Sequence, residues 1–151
     1  NVYGIQAGVE VKLPSGFRFG TDLNFQKGEE ELDNGDKSPS RHAAPFFGVS
    51  RVGYANSKLD LEVNLQFSDE VAYEDLAEEE KGKKEIYAID GNGNPYSPSW
   101  YTLNLKSMYK LNENFTLTAG LENITDQRYR PYSSGIVAPG KNFVLALRAK
   151  F

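Results

Sequence analysis

Apolar and polar residues alternate along this chain with a period of two, and no other feature limits its possible folds so tightly. From Tyr3 the odd positions read Tyr3, Ile5, Ala7, Val9, Val11 and Leu13, with Gly4, Gln6, Gly8, Glu10 and Lys12 between them. Successive side chains of a β-strand point to opposite sides, so this spacing predicts a strand with one apolar and one wet face. The pattern returns after Pro14-Ser15-Gly16 as Phe17, Phe19, Thr21, Leu23 and Phe25, and again as Leu59, Leu61, Val63, Leu65 and Phe67. It continues as Tyr101 to Leu111, as Phe115, Leu117, Ala119 and Leu121, and as Phe143, Leu145, Leu147, Ala149 and Phe151. Six strands keep this period.

A seventh stretch, 45–55, reads either way. The odd phase sets Arg51 beside Phe47 and Val49 on the apolar face; the even phase sets Phe46, Val52 and Tyr54 there and turns Arg51 to the wet side. If that face meets lipid, a charge near the bilayer midplane costs about 2 to 4 kcal/mol. The even phase is therefore expected.

The connections alternate in length. Those near 14–16, 55–58 and 112–114 are tight, while 28–44, 69–99 and 123–140 are long and rich in Gly, Pro, Asp, Glu and Asn. Short turns alternating with long loops are the mark of antiparallel outer-membrane strands. Aromatics gather at both ends of these segments, Phe17, Tyr54, Tyr109, Phe115 and Phe151 near the short turns and Phe25, Phe67, Trp100, Tyr101 and Phe143 near the long loops, as two interfacial girdles require. The same alternation suits a soluble β-sandwich, with two sheets hiding their apolar faces against each other. Pattern alone leaves both open.

Composition removes some classes. An aromatic share of 13% is too high for a solvated tail, and a net charge of -4 with scattered basic residues argues against nucleic acid as a partner. No run of about 18 apolar residues offers a transmembrane helix. The mean hydropathy of -0.56 decides nothing further, because a barrel hides its lipid face in alternate residues. The opening NVYGIQAGVEV is already strand-like and carries no leader pattern, so the chain is expected to be part of a longer product.

Reaction chemistry is thinly represented. The sequence has no cysteine and a single histidine, His42, in a long loop, so any Ser-His-Asp triad would depend on that residue. No cofactor or metal site is expected: Asp90-Gly91-Asn92-Gly93-Asn94 has the start of a calcium loop, but Pro95 replaces its turn glycine and Tyr101 its bidentate Glu, so a turn is expected. The runs Glu29-Glu30-Glu31 and Glu78-Glu79-Glu80 read as solvated loop faces, with cation contact at the cell surface as the alternative. Tyr73, Tyr87, Tyr96, Trp100, Tyr129 and Tyr132 lie in or beside the long loops. They are candidates for loop packing or for stacking on a sugar or aromatic ligand. On the wet face, Glu10, Arg18, Asp22, Glu62, Lys106 and Arg148 mix both signs, as a hydrated barrel interior with compensating pairs would.

The stretch GLENITDQRYRPYSSGIVAPGKNFVLALRAKF, 120–151, resembles the C-terminal end of TonB-dependent outer-membrane receptors. The likeness rests on Asn123-Ile124-Thr125-Asp126, Tyr129, Pro139-Gly140-Lys141-Asn142-Phe143 and Phe151; RHAAPFFGVSRVGY (41–54) and NGNPYSPSWYTLNLKSMY (92–109) are similar more weakly. The resemblance implies that 1–151 is one partial domain, the closing seven strands of an up-and-down transmembrane barrel of about 22 strands, with no plug domain in this chain. It implies a Gram-negative outer-membrane location and an active-transport receptor for a scarce solute such as an iron-siderophore, cobalamin or an oligosaccharide, not an enzyme. Implied partners are membrane lipid, the plug and remaining strands, TonB acting through the plug, and the barrel-assembly machinery, for which Phe151 resembles the recognition signal. A soluble carbohydrate-binding β-sandwich using Trp100 and the loop tyrosines is the alternative from another class.

Overall fold

The computed structural model describes residues 1–41 and 43–151; His42, on which a triad would depend, lies outside them. Ten strands follow one another as β1 (Val2–Lys12), β2 (Phe17–Glu31), β3 (Lys37–Pro39), β4 (Phe47–Ala55), β5 (Leu59–Ser68), β6 (Ala88–Ile89), β7 (Pro95–Tyr96), β8 (Trp100–Lys110), β9 (Phe115–Glu122) and β10 (Asn142–Ala149). Seven of them build one antiparallel sheet in the order β1-β2-β4-β5-β8-β9-β10. These are the seven strands expected from the alternation. Among the described residues helix is confined to a single turn, α1 (Glu78–Lys81), and a 3-10 turn at Tyr73–Asp75.

Register fixes the faces. One row across the sheet reads Val11, Phe19, Val52, Val63, Leu105, Leu121, Phe143, and the row beside it reads Lys12, Arg18, Gly53, Glu62, Lys106, Gly120, Val144. Val52 and Tyr54 thus lie with the apolar stripe and Arg51 with the polar one, as the even phase requires. There Arg51 forms an ion pair with Asp22 of β2. Phe46 stands beside Phe67 with ring centroids 5.7 Å apart, on the same apolar side.

The two faces are solvated in reverse of a water-soluble protein. Val52, Val63 and Tyr101 of the apolar stripe are 50%, 42% and 49% exposed, while Asn64 and Thr102 of the polar stripe are 3% exposed. Among the described residues no second sheet covers the aliphatic face. A β-sandwich is therefore excluded, since it would bury that stripe as its core. The buried apolar cluster of the described residues, Val71, Leu76 and Tyr87, lies in the loops.

All three short connections fall on one edge of the sheet and all three long ones on the other. At the short edge Gly16 takes a left-handed φ of 93° and donates its N–H to Leu13 O at 3.0 Å. The Asn56 and Asn112 carboxamides each accept two backbone N–H groups at 2.9 Å, the local bond that makes Asn a turn former. The first long connection departs from expectation: β2 runs on to Glu31 and pairs with β3. Alternation ends at Gln26 because the extension needs no apolar face; its Glu29 reaches Lys37 at 3.7 Å.

Several charges on the polar face are paired within the wall. Arg18 reaches across β4 to Asp60 Oδ1 at 2.6 Å and to Glu62 at 3.4 Å on β5. Gly53 makes the crossing possible: a Cβ there would stand 2.5 Å from the Arg18 Nε. Glu10 pairs with Lys12 at 3.1 Å.

Candidate functional site

At the long-connection edge three loops, 32–46, 69–99 and 123–141, fold over the polar face. The second is the scaffold. Val71 and Ser97 exchange backbone hydrogen bonds at 2.9 and 3.0 Å, closing its base. Above them Val71, Leu76 and Tyr87 pack with Tyr73, Ile86 and, from the third loop, Tyr132. The first loop is tied on where Glu78 N donates to Ser38 Oγ at 3.0 Å, and the third where Arg130 donates to Glu85 O at 3.1 Å.

Glu80 corrects an expectation. The Glu78-Glu79-Glu80 run was read as a solvated face, yet Glu80 is 0% exposed. Its carboxylate accepts from Tyr87 Oη at 2.5 Å and Lys83 Nζ at 2.6 Å, and Arg41 Nε of the first loop lies 2.7 Å away. Burial opposes the charge, but Lys83, Tyr87 and Arg41 outweigh it and hold the carboxyl below its ordinary range. The Tyr87 hydroxyl is pushed well above its ordinary value by burial and by its bond to Glu80. A one-turn helix places Glu80 inward while Glu78 and Glu79 stay in solvent.

The third loop starts from a polar knot. Asn123 has a left-handed φ of 48°, a conformation Asn tolerates, and is buried. Its Nδ2 donates to Gln127 O and Pro139 O at 2.9 and 3.1 Å, and its Oδ1 accepts Gln127 N at 3.0 Å. Its own N–H donates to Asn104 Oδ1 at 2.8 Å, and Asn104 Nδ2 donates to Asn64 Oδ1 at 2.9 Å. Asp126 accepts Lys141 N at 2.7 Å, stitching the far end of the loop to the start of β10. The Asn123-Ile124-Thr125-Asp126 stretch is thus a staple joining β5, β8, β9 and the entry to β10.

A cleft of about 550 Å³ lies between loops and wall. Asp22, Asn24, Val49 and Gln66 line it from the sheet and Arg41 and Tyr132 from the loops. Asn24 Oδ1 is buried there without a hydrogen-bond partner among the described residues. Of the six aromatic candidates, Trp100 and Tyr132 line this cleft, and Tyr87 and Tyr129 line a neighbouring one of about 320 Å³. Tyr73 lines neither and faces Lys81, whose Nζ is 5.1 Å from its ring centroid; Tyr96 also lines neither and pairs with Ala88 in the β6–β7 hairpin.

Trp100 corrects a second expectation. It was placed in the outward girdle, but it stands opposite Ser68 on the inward face and stacks on Tyr129 with ring centroids 4.1 Å apart. Its parity decides this, since even positions of β8 face inward. Tyr101, the next residue, takes the outward place and is 49% exposed. Asp90 makes the expected turn: Oδ1 accepts Asn92 N and Asn94 N at 2.8 Å, which holds the carboxyl below its ordinary range. Among the described residues no three His, Asp or Glu side chains group as metal ligands. Arg41, Glu80, Asn64 and Asn104 are the structurally important residues that sequence reasoning missed.

A single-layer antiparallel sheet, apolar outside and polar inside, with tight turns at one edge and knotted loops at the other, defines a wall segment of a transmembrane β-barrel. Comparison with solved structures agrees. The chain is similar to the copper transporter OprC (15% identity, TM-score 0.77), covering 99% of this chain and 23% of that one. It is similar to the ferric enterobactin receptor PfeA of Pseudomonas aeruginosa (19%, 0.71), and to the siderophore receptor PirA of Acinetobacter baumannii (15%, 0.72), covering 99% of this chain and 22% of each of those. The chain thus spans less than a quarter of the length of these proteins and shares the fold of that portion. No protein-family model and no curated protein sequence matches it.

Proposed function

We propose that this chain is the closing part of the wall of a Gram-negative outer-membrane receptor that imports a scarce solute, driven by the TonB complex through a plug domain. The observation that carries this reading is the reversed polarity of the sheet: exposed aliphatics on one face, buried carboxamides on the other. In hydrocarbon every backbone polar group needs an internal partner, so the strands at the two edges, β1 and β10, are read as paired to further strands of the same barrel. The fold shared with one copper transporter and two siderophore receptors supports a transport role. The wall and loops supply binding surface, and no reaction chemistry is assigned to them. Trp100, Tyr129 and Tyr132, with Tyr73, Tyr87 and Tyr96 behind them, are proposed to shape the solute site.

The full-length gene product is expected in the outer-membrane fraction, extractable only with detergent, and faster on gels when left unheated. Uptake of its solute is expected to stop when TonB is deleted. A product that is monomeric and soluble without detergent would refute the reading.

Phe151 is fully exposed and, among the described residues, packs on no other side chain of this sheet. Phe151→Ala is therefore expected to lower the folded yield in cells severalfold, well beyond what the small midpoint shift from losing one interfacial ring accounts for. Quantifying heat-modifiable protein in outer membranes checks it; unchanged yield would remove the assembly role.

A further inference from the structure

We propose that Glu80 is a clasp that holds the three loops together as one lid over the cleft, and that removing its charge releases them as a unit. The inference deepens the receptor reading, on which it rests for the loops being external. Glu80 is the only buried charged side chain among the described residues. It sits where the loops converge: Arg41 arrives from the first loop, Lys83 and Tyr87 from the second, and Tyr132 of the third packs on the cluster that contains Tyr87. Arg41 and Tyr132 are also among the residues that line the cleft from the loops, beside Pro45 and Pro131. Glu80 therefore holds part of the roof from each of two loops.

The surrounding charges explain why one proton would matter. Arg41 also stands 3.6 Å from Glu79, Glu78 is paired with Lys81 at 2.6 Å, and the charge of Glu30 of β2 is felt weakly at Tyr132. Two cations, Arg41 and Lys83, each partly exposed, meet at the buried Glu80 carboxylate; without its charge Glu79 is the nearby carboxylate left to Arg41, and Lys83 loses its partner. A fully buried carboxylate bonded from three sides holds its partners more firmly than an exposed ion pair does. Because the carboxyl is held below its ordinary value of 4.5, its contribution is complete above that value and is lost as pH falls through the lower folded value.

Hydrogen exchange on the full-length protein in detergent tests the clasp without using transport, so its outcome is separate from that of the receptor reading. The informative amides are Ala43 of the first loop, bonded to Ser40 O, Ile86 of the second, bonded to Lys83 O, and Ala138 of the third, bonded to Tyr129 O. In Glu80→Gln, at neutral pH and corrected for intrinsic rates, these three should exchange at least about tenfold faster while β8 amides stay unchanged. Wild type brought well below pH 4.5 should reproduce the variant, and the variant should show no further acid step. Faster exchange confined to 78–87 would overturn the proposal, as would an acid opening equally present in Glu80→Gln, which would assign it to another group. If that variant fails to assemble, Tyr87→Phe, which keeps the charge and removes one hydrogen bond, should give the same three-loop pattern at smaller amplitude. A response of the second loop alone would again overturn it.

Discussion

Val63→Arg is expected to destabilise the full-length barrel in lipid vesicles by about 2 to 4 kcal/mol, the cost of a charge on the lipid face near the midplane. Val63 lies in the middle of β5, flanked in register by Val52 and Leu105, and is 42% exposed. Thr118→Arg, on the opposite face of β9, should cost little by comparison, because that face meets a hydrated interior. Any core would reject a charge, so Val63→Phe is the sharper companion. A bilayer accepts the larger ring without loss, whereas a close-packed protein core would lose about 1 to 3 kcal/mol to overpacking. Denaturant unfolding in vesicles measures all three, and a destabilised Val63→Phe would contradict the lipid-facing assignment.

Asn123→Ala is expected to cost about 2 to 4 kcal/mol and to loosen the third loop. The change strands Gln127 N–H and the Gln127 and Pro139 carbonyls; a buried group costs about 1 to 3 kcal/mol when unpaired, and these part-buried ones cost less because water can enter. It also puts a Cβ without a carboxamide at φ 48°, which costs about 1 to 2 kcal/mol. Asn123→Gly removes the carboxamide and relieves the backbone, so it should be milder than Ala by about 1 kcal/mol. Unfolding midpoints of the two variants separate the contributions. Equal midpoints would mean that the left-handed backbone contributes nothing.

The strands and their phase could be read from the residues because a lipid-facing strand writes its orientation into every second side chain. Arg51 settled the one ambiguous segment through the cost of a charge in hydrocarbon, and its pairing with Asp22 on the inward face agrees. Past Gln26 the rule fell silent, since both faces of the β2–β3 extension are wet. The loops were harder still. Glu80 looks like its neighbours Glu78 and Glu79 in a list of residues; only the fold brings Arg41 from another loop and Tyr87 from beyond the helix to its carboxylate. Trp100 was misplaced by grouping aromatics by position along the strand and neglecting parity. Asn123 was visible as part of a motif, but its left-handed backbone and its bonds to Asn104 and Pro139 were not.

The route of Arg18 over Gly53 to Asp60 has a mechanical implication. Arg18, Arg51 and Lys12 each spend their charge on a carboxylate of the same wall. An object filling the interior would therefore find the cations of β1, β2 and β4 already matched, and would meet ones unmatched among the described residues further along the wall, at Lys106 of β8 and Arg148 of β10. The β1–β4 part of the lining behaves like a lubricated bearing, on which a domain can rest firmly by shape and still be drawn past by a modest pull.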